Sequence, residues 1–347
     1  MKSVVIIGGG FAGAETTKYL EKYRIFKTIL IDNKDYFEFT PSILRAFVNP
    51  NKINKIRVKH KDYLKNTEIV VGNVIDVDKK FVYVKKERIK YSYLVIATGS
   101  KYYLPIKGKN LIIASSLKQL MEKRDLFLKS KNVTIIGGGL VGVELAGEII
   151  NNFPEKKISI VESGGDLISR NHKRSINYAT NFLKRNNVEI FLNQRATRIY
   201  GNNVITNKGE KIFGNVVFLS TGIKPNSDIM KKNFGESLDD KGYIKVNQNL
   251  KVEGLDNVFS IGDVSNFNEE KTAQAAEKQA KIISRNLYAL EMKKPLEIYK
   301  PVKRPILISL GKYNGIFEYK GIILGGVIPA LMKYIVEIKT LIRFRKI

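Results

Sequence analysis

The chain has 347 residues, 44% of them hydrophobic and 27% charged, which predicts two or three folded domains and argues against global disorder. Its 60 lysines and arginines against 33 acidic residues give a formal net charge of +27, which favours nucleic acid, anionic lipid or acidic proteins as partners; a lysine-rich, well-solvated surface is the alternative. With no cysteine and only two distant histidines, His60 and His172, the chain cannot form disulfides, iron–sulfur clusters or thiolate zinc sites, and nothing supports a catalytic metal or a histidine triad.

The first predicted element is a β-strand that runs into a glycine-rich turn and a helix. The segment SVVIIGGGFAGAETTKYL spaces Gly8, Gly10 and Gly13 as Gly-x-Gly-x-x-Gly, and Asp32 ends the next apolar run. In a dinucleotide site these glycines make the tight turn, admit a pyrophosphate and allow close helix–strand packing, while the acid accepts hydrogen bonds from a ribose. The apolar opening is too short and too glycine-rich for a signal peptide.

The same series returns in KNVTIIGGGLVGVELAGEI. It places Gly137, Gly139 and Gly142 before Glu162, which ends the run KISIVE. Two such series predict two dinucleotide-binding units, whereas glycines that only make tight turns would rarely be spaced alike twice. Glu162 favours NADH over NADPH because a carboxylate repels a 2′-phosphate, and Arg170 is the residue that could reverse this preference.

Three further segments each join a predicted strand to a turn of small residues. They are YLVIATGSKYYLP, NVVFLSTGIKPN and LDNVFSIGDVSNF. Together with the paired glycine series, they resemble the FAD-dependent oxidoreductases with two dinucleotide-binding domains, the superfamily that includes the pyridine nucleotide-disulfide oxidoreductases. The resemblance extends over essentially the whole chain.

The resemblance implies FAD on the first glycine series and NADH (NAD) on the second. The cofactor-binding positions that it implies are Gly8, Gly10, Gly13, Asp32, Thr40, Val74, Ala97, Thr98, Gly99, Gly137, Gly139, Gly142, Glu162, Gly222, Gly262, Asp263, Thr272 and Ala273. The expected fold is α/β with two Rossmann-like domains. The FAD domain would comprise residues 1–108 and 229–300, the NADH domain residues 109–228, and a C-terminal region with an amphipathic helix residues 301–347.

The absence of cysteine excludes some branches of this superfamily. Glutathione-reductase-like enzymes, sulfide:quinone reductases and coenzyme A disulfide reductases pass electrons through thiols, so these branches are excluded. The segments DYFEFTPSILRAF, GGGLVGVELAGEI and TAQAAEKQA are most similar to the type II NADH dehydrogenases. Flavoproteins related to apoptosis-inducing factor share the same plan, and the chain is compatible with either branch.

The narrower resemblance implies an enzyme that takes hydride from NADH to flavin N5 and passes two electrons to a membrane quinone without pumping protons. Glu144, in the second glycine-turn helix, would face the nicotinamide, and Glu148 is expected on the helix surface. Gln274 would bind a quinone carbonyl, and Lys278 and Arg304 would be further substrate contacts. At the position of Lys278 the family usually has a second glutamine. The alternative for Glu144 is a helix-surface glutamate paired with a basic neighbour, and for Gln274 an ordinary polar helix residue.

The last segment, IPALMKYIVEIKTLIRFRKI, is apolar and basic at once. On a helix it forms an apolar stripe of Leu331, Tyr334, Ile335, Ile338, Leu341 and Ile342, with Lys333, Glu337, Lys339 and Arg343 opposite and Arg345 and Lys346 at the end. A helix packed in the core has the same period. The resemblance nevertheless favours a helix that lies on a membrane, with its basic side on anionic lipid headgroups.

The sequence therefore predicts a cytoplasmic protein bound peripherally to the inner face of the cell membrane, without a spanning helix, and it is compatible with a homodimer. Two other functions remain open. One is a soluble NADH oxidoreductase that donates to an acidic electron-carrier protein or to oxygen. The other is a flavoprotein like apoptosis-inducing factor whose basic surface binds nucleic acid non-specifically; specific nucleic-acid recognition is not expected.

Overall fold

The computed structural model describes residues 1–85, 87–114 and 116–345. Strands and helices alternate along most of the chain. The strands are β1 (Lys2–Ile7), β2 (Phe26–Asp32), β3 (Tyr36–Glu38), β4 (Arg57–Lys59), β5 (Thr67–Val71), β6 (Val74–Val77), β7 (Phe81–Val84), β8 (Glu87–Lys90), β9 (Tyr93–Ile96), β10 (Ser100–Tyr102), β11 (Leu111–Ile113), β12 (Asn132–Ile136), β13 (Lys157–Val161), β14 (Glu189–Phe191), β15 (Ala196–Tyr200), β16 (Asn203–Thr206), β17 (Lys211–Phe213), β18 (Val216–Leu219), β19 (Ile223–Pro225), β20 (Val258–Ser260), β21 (Ile306–Ser309), β22 (Gly315–Tyr319) and β23 (Ile322–Gly326).

The α-helices are α1 (Phe11–Tyr23), α2 (Ile43–Val48), α3 (His60–Tyr63), α4 (Leu117–Glu122), α5 (Arg124–Lys129), α6 (Leu140–Asn152), α7 (Lys173–Arg185), α8 (Lys231–Phe234), α9 (Ala273–Glu291) and α10 (Val327–Arg345). Short 3-10 turns include Thr40–Ser42 and Gly262–Val264.

A first parallel sheet has the strand order β20-β9-β1-β2-β5. Its strands are continuous apolar runs because both faces are covered. On one face, Val4 and Leu30 join the core that α1 and α9 close, with α1 packed along α9. On the other, Val5 and Ile31 meet the antiparallel sheet β6-β7-β8 through residues such as Val82.

A second parallel sheet, with the order β11-β18-β12-β13-β14, repeats this plan. One face packs on α6, where Ile135 and Val143 share a core. The other face packs on the antiparallel sheet β15-β16-β17 through Ile136 and Val204. The predicted α/β fold with Rossmann-like parallel sheets is confirmed.

After α9 the chain forms the antiparallel sheet β21-β22-β23 and then α10, which packs on that sheet, on α3 and on β4. No helix among the described residues is both long and apolar enough to cross a bilayer. The buried side of α10 carries Glu337, Thr340, Leu341 and Phe344. Lys346, the basic residue predicted near the end of the tail, lies outside the described residues.

The orientation of α10 corrects part of the sequence interpretation. Leu331, Tyr334 and Ile335 are exposed, as a membrane-facing stripe requires, but Leu341 is buried. The charged side of the helix faces the protein instead of solvent at Glu337, which is buried. The expectation that this whole side meets lipid headgroups is wrong at Lys333 and Glu337, which are paired with Glu144 and Arg45 inside the protein, whereas Lys339 and Arg343 are exposed.

Candidate functional site

The first glycine turn joins β1 to α1 at the carboxyl end of the first parallel sheet. Gly8 has a φ of +103°, and a Cβ there would collide with the carbonyl oxygen of Ala97, at the end of β9. A Cβ at Gly13 would collide with the carbonyl oxygen of Gly8. At Gly10, by contrast, a Cβ would meet no atom within 4 Å. The turn is therefore closed towards the sheet and open at the helix N-terminus, where a phosphate can approach.

The second turn, between β12 and α6, is built in the same way. Gly137 has a φ of +105°, and a Cβ there would lie 2.7 Å from the carbonyl oxygen of Ser220 at the end of β18. Gly142 lies against the Gly137 carbonyl, and Gly139 faces open space. The two turns thus share the same closed and open sides.

Each turn is tied to the acid that ends the neighbouring strand. Asp32 Oδ2 accepts a hydrogen bond of 2.5 Å from Gly9 N, and its Oδ1 accepts one of 3.0 Å from Lys34 N. Glu162 Oε2 accepts a bond of 2.7 Å from Gly138 N, and its Oε1 accepts one of 2.6 Å from Gly164 N. A carboxylate has about four acceptor positions, so each acid can still accept hydrogen bonds from a ribose.

The charge state of Asp32 follows from its surroundings. Burial alone would raise the pKa of its carboxyl group, but His60 and the Lys34 charge beside it hold the pKa below its usual value. Asp32 is therefore ionised near neutral pH and acts only as an acceptor.

Two linkers connect the two parallel sheets: the first follows β9, and the returning linker follows β18. β10 pairs antiparallel with β19, Thr98 Oγ1 donates to the Asn226 carbonyl at 2.6 Å, and Asn226 N donates to the Gly99 carbonyl at 2.9 Å. Gly222, with a φ of +46°, lies at the start of the returning linker, next to Thr221, whose buried Oγ1 has no hydrogen-bond partner in the part of the chain that the structure describes. The structure thus brings Thr98 and Gly99 next to the chain that leaves the second sheet.

Asp263 follows β20 and lies beside the first linker, where Ser100 Oγ donates to its Oδ2 at 3.0 Å. Burial raises the pKa of Asp263 above its usual value. The preceding Gly262 N donates to Gln279 Oε1 at 2.6 Å, which ties this loop to α9. Lys271, which sequence reasoning missed, is also close: burial lowers the pKa of its ammonium group, opposed by the charge of Asp263.

Helix α9 begins where the sequence places it. Thr272 is its N-cap, and Thr272 Oγ1 accepts a bond of 3.2 Å from Ala275 N; Ala273 is the first helical residue. Gln274 is exposed and donates to the Pro305 carbonyl at 3.2 Å. Lys278, one turn on, donates to the Lys300 carbonyl at 2.8 Å. Gln274 and Lys278 therefore lie on the same side of α9, against the chain that enters β21.

Arg304 is held in a buried polar cluster. It pairs with Glu269 at 2.9 Å and donates to the Tyr299 hydroxyl at 3.1 Å. Glu269 also accepts from Gln279 Nε2 at 2.6 Å. Because Gln279 binds Gly262 N, Arg304 supports the Gly262 loop through two intermediate side chains. Sequence reasoning missed Glu269 and Gln279, whose partners are distant in the chain.

Glu144 lies in the first turns of α6 and reaches the C-terminal region. Its Oε1 accepts a bond of 2.9 Å from Ser309 N and forms an ion pair with Lys333 of α10. Tyr102 is close as well: burial, together with the charge of Glu144, raises the pKa of Tyr102 to about 12. Glu148 was expected on the surface, which is wrong, because it is buried and pairs with an arginine of α2.

Two predicted cofactor residues lie at the edge of this region. Thr40 is exposed and begins the turn Thr40–Ser42. Val74 is half-buried, begins β6 and pairs with Val84 in the small antiparallel sheet.

Comparisons with known proteins agree with this geometry. The chain is 33% identical to "Apoptosis-inducing factor homolog B" of Dictyostelium discoideum, over 91% of this chain and 89% of the relative. It is 31% identical to "Ferroptosis suppressor protein 1" of Homo sapiens, over 95% and 92%. The structure of NDH2 from Plasmodium falciparum in complex with NADH shares the fold, with a TM-score of 0.86 over 99% of this chain and 96% of that one, at 18% identity. The family described as pyridine nucleotide-disulphide oxidoreductase matches residues 2–280, and the chain belongs to that family.

Proposed function

We propose that this family member is an NADH:quinone oxidoreductase that uses FAD to take hydride from NADH and to pass two electrons to a quinone in a membrane, without pumping protons. Family membership itself implies an FAD-dependent oxidoreductase of pyridine nucleotides. Two relatives from Dictyostelium discoideum carry the name apoptosis-inducing factor homolog. The narrower assignment to the type II NADH dehydrogenases stays a prediction.

The residues around the first glycine turn fit FAD. The turn is open at Gly10, Asp32 is an ionised acceptor, and the Asp263 carboxyl group accepts a hydrogen bond from Ser100, which follows Thr98 and Gly99 in the chain. We propose that the FAD domain comprises residues 1–108 and 229–300 and that these groups hold the pyrophosphate and sugar parts, with Thr40, Val74 and Ala97 at the rim. When bound, FAD supplies the hydride acceptor and the two-electron chemistry. The positive end of α9, at Thr272 and Ala273, favours negative charge beside it.

The second turn fits NADH. We propose that residues 109–228 form its domain and that Glu162, fixed by two backbone N–H groups, accepts hydrogen bonds from the ribose and repels a 2′-phosphate. Glu144 would orient the nicotinamide carboxamide. Ser309 N and Lys333 hold the Glu144 carboxylate in one position, and they close the site on the side of α10.

The observation that carries the quinone proposal is the position of α10. One face of this helix reaches the candidate hydride site through Lys333, while the opposite face is apolar and exposed. Leu331 is 56% exposed and Ile335 53%. Monomeric soluble proteins seldom expose contiguous apolar patches of this kind. A lipid-dissolved acceptor would then enter beside the site without the protein crossing the bilayer.

We further propose that the exposed face of α10 binds an anionic membrane peripherally, on the inner face of the cell membrane. Ile322 and Leu324 of β23 are exposed and extend the apolar area next to the helix. Lys339 and Arg345 are exposed beside the stripe and would supply positive charge at the headgroup level. The same face could instead be buried in a homodimer, which would show as a change of mass in solution.

For the acceptor itself, Gln274 is the proposed partner of a quinone carbonyl, because its amide is exposed on the first turn of α9. Lys278 lies on the same side of the helix and would contact the substrate. Arg304 is bound to Glu269, so it would act through the Gly262 loop instead of by direct contact.

Anaerobic stopped-flow spectroscopy tests the proposal. NADH should bleach the flavin absorbance rapidly, and a short-chain quinone should restore it much faster than buffer does. If NADH bleaches the flavin but quinone has no effect, the quinone function fails. Reoxidation by an acidic carrier protein or by oxygen would then support the soluble oxidoreductase, a function to which the net charge of +27 is also suited. Salt-sensitive binding of nucleic acid without turnover of NADH would support the flavoprotein that binds nucleic acid non-specifically.

A further inference from the structure

His60 is buried beneath the first glycine turn, at the start of α3. A Cβ at Gly9 would collide with its imidazole, so the ring lies directly against the backbone of the turn. Its Nδ1 is 2.5 Å from the Tyr63 hydroxyl oxygen, and its Nε2 is 3.8 Å from Asp32 Oδ2. A separation of 3.8 Å is too long for a hydrogen bond, and among the described residues Nε2 has no other partner. The buried ring nitrogen therefore faces the acid of the dinucleotide site across a short gap.

The tautomer of His60 follows from Tyr63. Burial raises the pKa of the Tyr63 hydroxyl above its usual value, so the hydroxyl keeps its proton. A buried hydroxyl proton needs an acceptor, and Nδ1 is the acceptor beside it. The hydroxyl therefore donates to Nδ1, and Nε2 carries the ring proton. The Nε2–H group then points towards the Asp32 carboxylate.

The second glycine turn has an apolar side chain in the same place. A Cβ at Gly138, the counterpart of Gly9, would collide with Leu167. The two turns are otherwise alike in their glycines, their crossing strands and their acids. A leucine therefore suffices to pack beneath such a turn, and the histidine is a property of the first site alone.

Tyr63 is in turn held by the C-terminal helix. Its ring packs edge-on against Phe344, with the ring centroids 4.9 Å apart. Phe344 is fully buried and stacks on Phe37 at 4.1 Å. A continuous set of contacts thus runs from the end of α10 through Tyr63 and His60 to Asp32.

We propose that His60 is a positioning residue of the first dinucleotide site, whose Nε2–H fixes the Asp32 carboxylate for the adenosine ribose of FAD, and that Tyr63 and Phe344 hold His60 in place. The inference rests on the proposed function, since it needs FAD on the first turn. One consequence is that the end of α10 contributes to the retention of FAD.

The test measures how fast FAD leaves the purified holoprotein, from the rise of free-flavin fluorescence after dilution. His60→Leu copies Leu167 of the second site, and we expect FAD to leave about tenfold faster, because the buried Asp32 carboxylate loses the N–H dipole that faces it in a low-dielectric interior. His60→Gln keeps an N–H donor and should release FAD within about threefold of the wild-type rate. The NADH concentration that gives half-maximal flavin bleaching should be the same in all three proteins.

Two results overturn the role of His60. One is an unchanged FAD release rate in the leucine variant. The other is equal acceleration in both variants, which would show that the shape of the ring matters and not the N–H donor.

If the leucine variant does not fold, the variant Tyr63→Phe tests the role of His60 instead, because it keeps the ring that packs on Phe344 and removes only the hydroxyl. By itself Tyr63→Phe should accelerate FAD release, and an unchanged rate would likewise overturn the role of His60. Where His60→Leu does fold, Tyr63→Phe should add little to it, whereas additive effects would separate the two residues. A wild-type protein that binds no FAD would overturn the proposed function instead.

Discussion

Glu144 of α6 and Lys333 of α10 form an ion pair between side chains that are only 15% and 13% exposed. Next to it, Arg45 of α2 pairs with Glu148 at 3.2 Å and with Glu337 at 3.4 Å. Lys333 and Glu337 on the charged side of α10 are thus bound to α6 and α2. The apolar side of α10 is exposed and can contact another surface.

The ion pair itself gives a first prediction. Lys333→Met leaves the Glu144 carboxylate partly buried without its cation, and we expect the free energy of unfolding to fall by about 1–3 kcal/mol. Glu144→Gln in the same chain should restore part of that loss, because the unpaired charge is removed. Urea unfolding of the wild type, both single variants and the double variant measures the coupling. Strictly additive losses would show that the two side chains do not interact in solution.

The exposed face of α10 gives a second prediction. Leu331→Glu with Ile335→Glu should weaken binding to anionic liposomes at least about tenfold, because burial of each side chain in lipid contributes on the order of 1.5–3 kcal/mol. NADH should still bleach the flavin at the wild-type rate. Tyr200→Glu, at an exposed position of β15, is the matched control and should bind liposomes like the wild type. Equal liposome binding by all three proteins would remove α10 from the membrane contact.

The end of α10 gives a third prediction. Phe344→Ala should lower the free energy of unfolding by about 3–5 kcal/mol, because Phe344 is fully buried between Phe37 and Tyr63. Ile342→Ala, two residues away and 41% exposed, should cost much less. The denaturant midpoints of unfolding of the two variants are compared to test this prediction. Equal midpoints would mean that the helix end is not packed in solution.

The glycine turns, the acids that end the strands and the N-cap Thr272 could all be predicted, because each is a local pattern with a local cause. The direction in which α10 faces could not. A helix with one apolar stripe has the same period whether the stripe is buried or exposed, and the choice depends on Arg45 and Ser42, about 290 positions earlier. The prediction that Glu148 lies on the helix surface was wrong for the same reason, because its partner Arg45 is distant in the chain. The place of His60 under Gly9 also depends on tertiary packing.

Cofactor preference gives a fourth prediction. Glu162→Gln removes the charge that we propose repels a 2′-phosphate and keeps a side chain of the same length. We expect KM for NADH to rise about tenfold, since a charge-assisted hydrogen bond to the ribose becomes a neutral one, and KM for NADPH to fall. Asp166→Asn, at a half-exposed position four residues on, is the matched control and should leave both constants unchanged. An unchanged ratio of the two constants would place the adenosine ribose elsewhere.

The fifth prediction concerns acid stability and Asp32. His60 and Lys34 hold the pKa of its carboxyl below the ordinary value of 3.8, so the native state binds this proton less readily than the unfolded chain does. The stability that Asp32 contributes is therefore complete above pH 3.8 and is lost as the pH falls through the lower native pKa. Asp32→Asn has no such proton. The difference in unfolding free energy between the wild type and this variant, measured in urea at each pH, cancels the other carboxyl groups. It should favour the wild type near neutral pH and shrink below pH 3.8, whereas a constant difference would show that the Asp32 pKa does not change on folding.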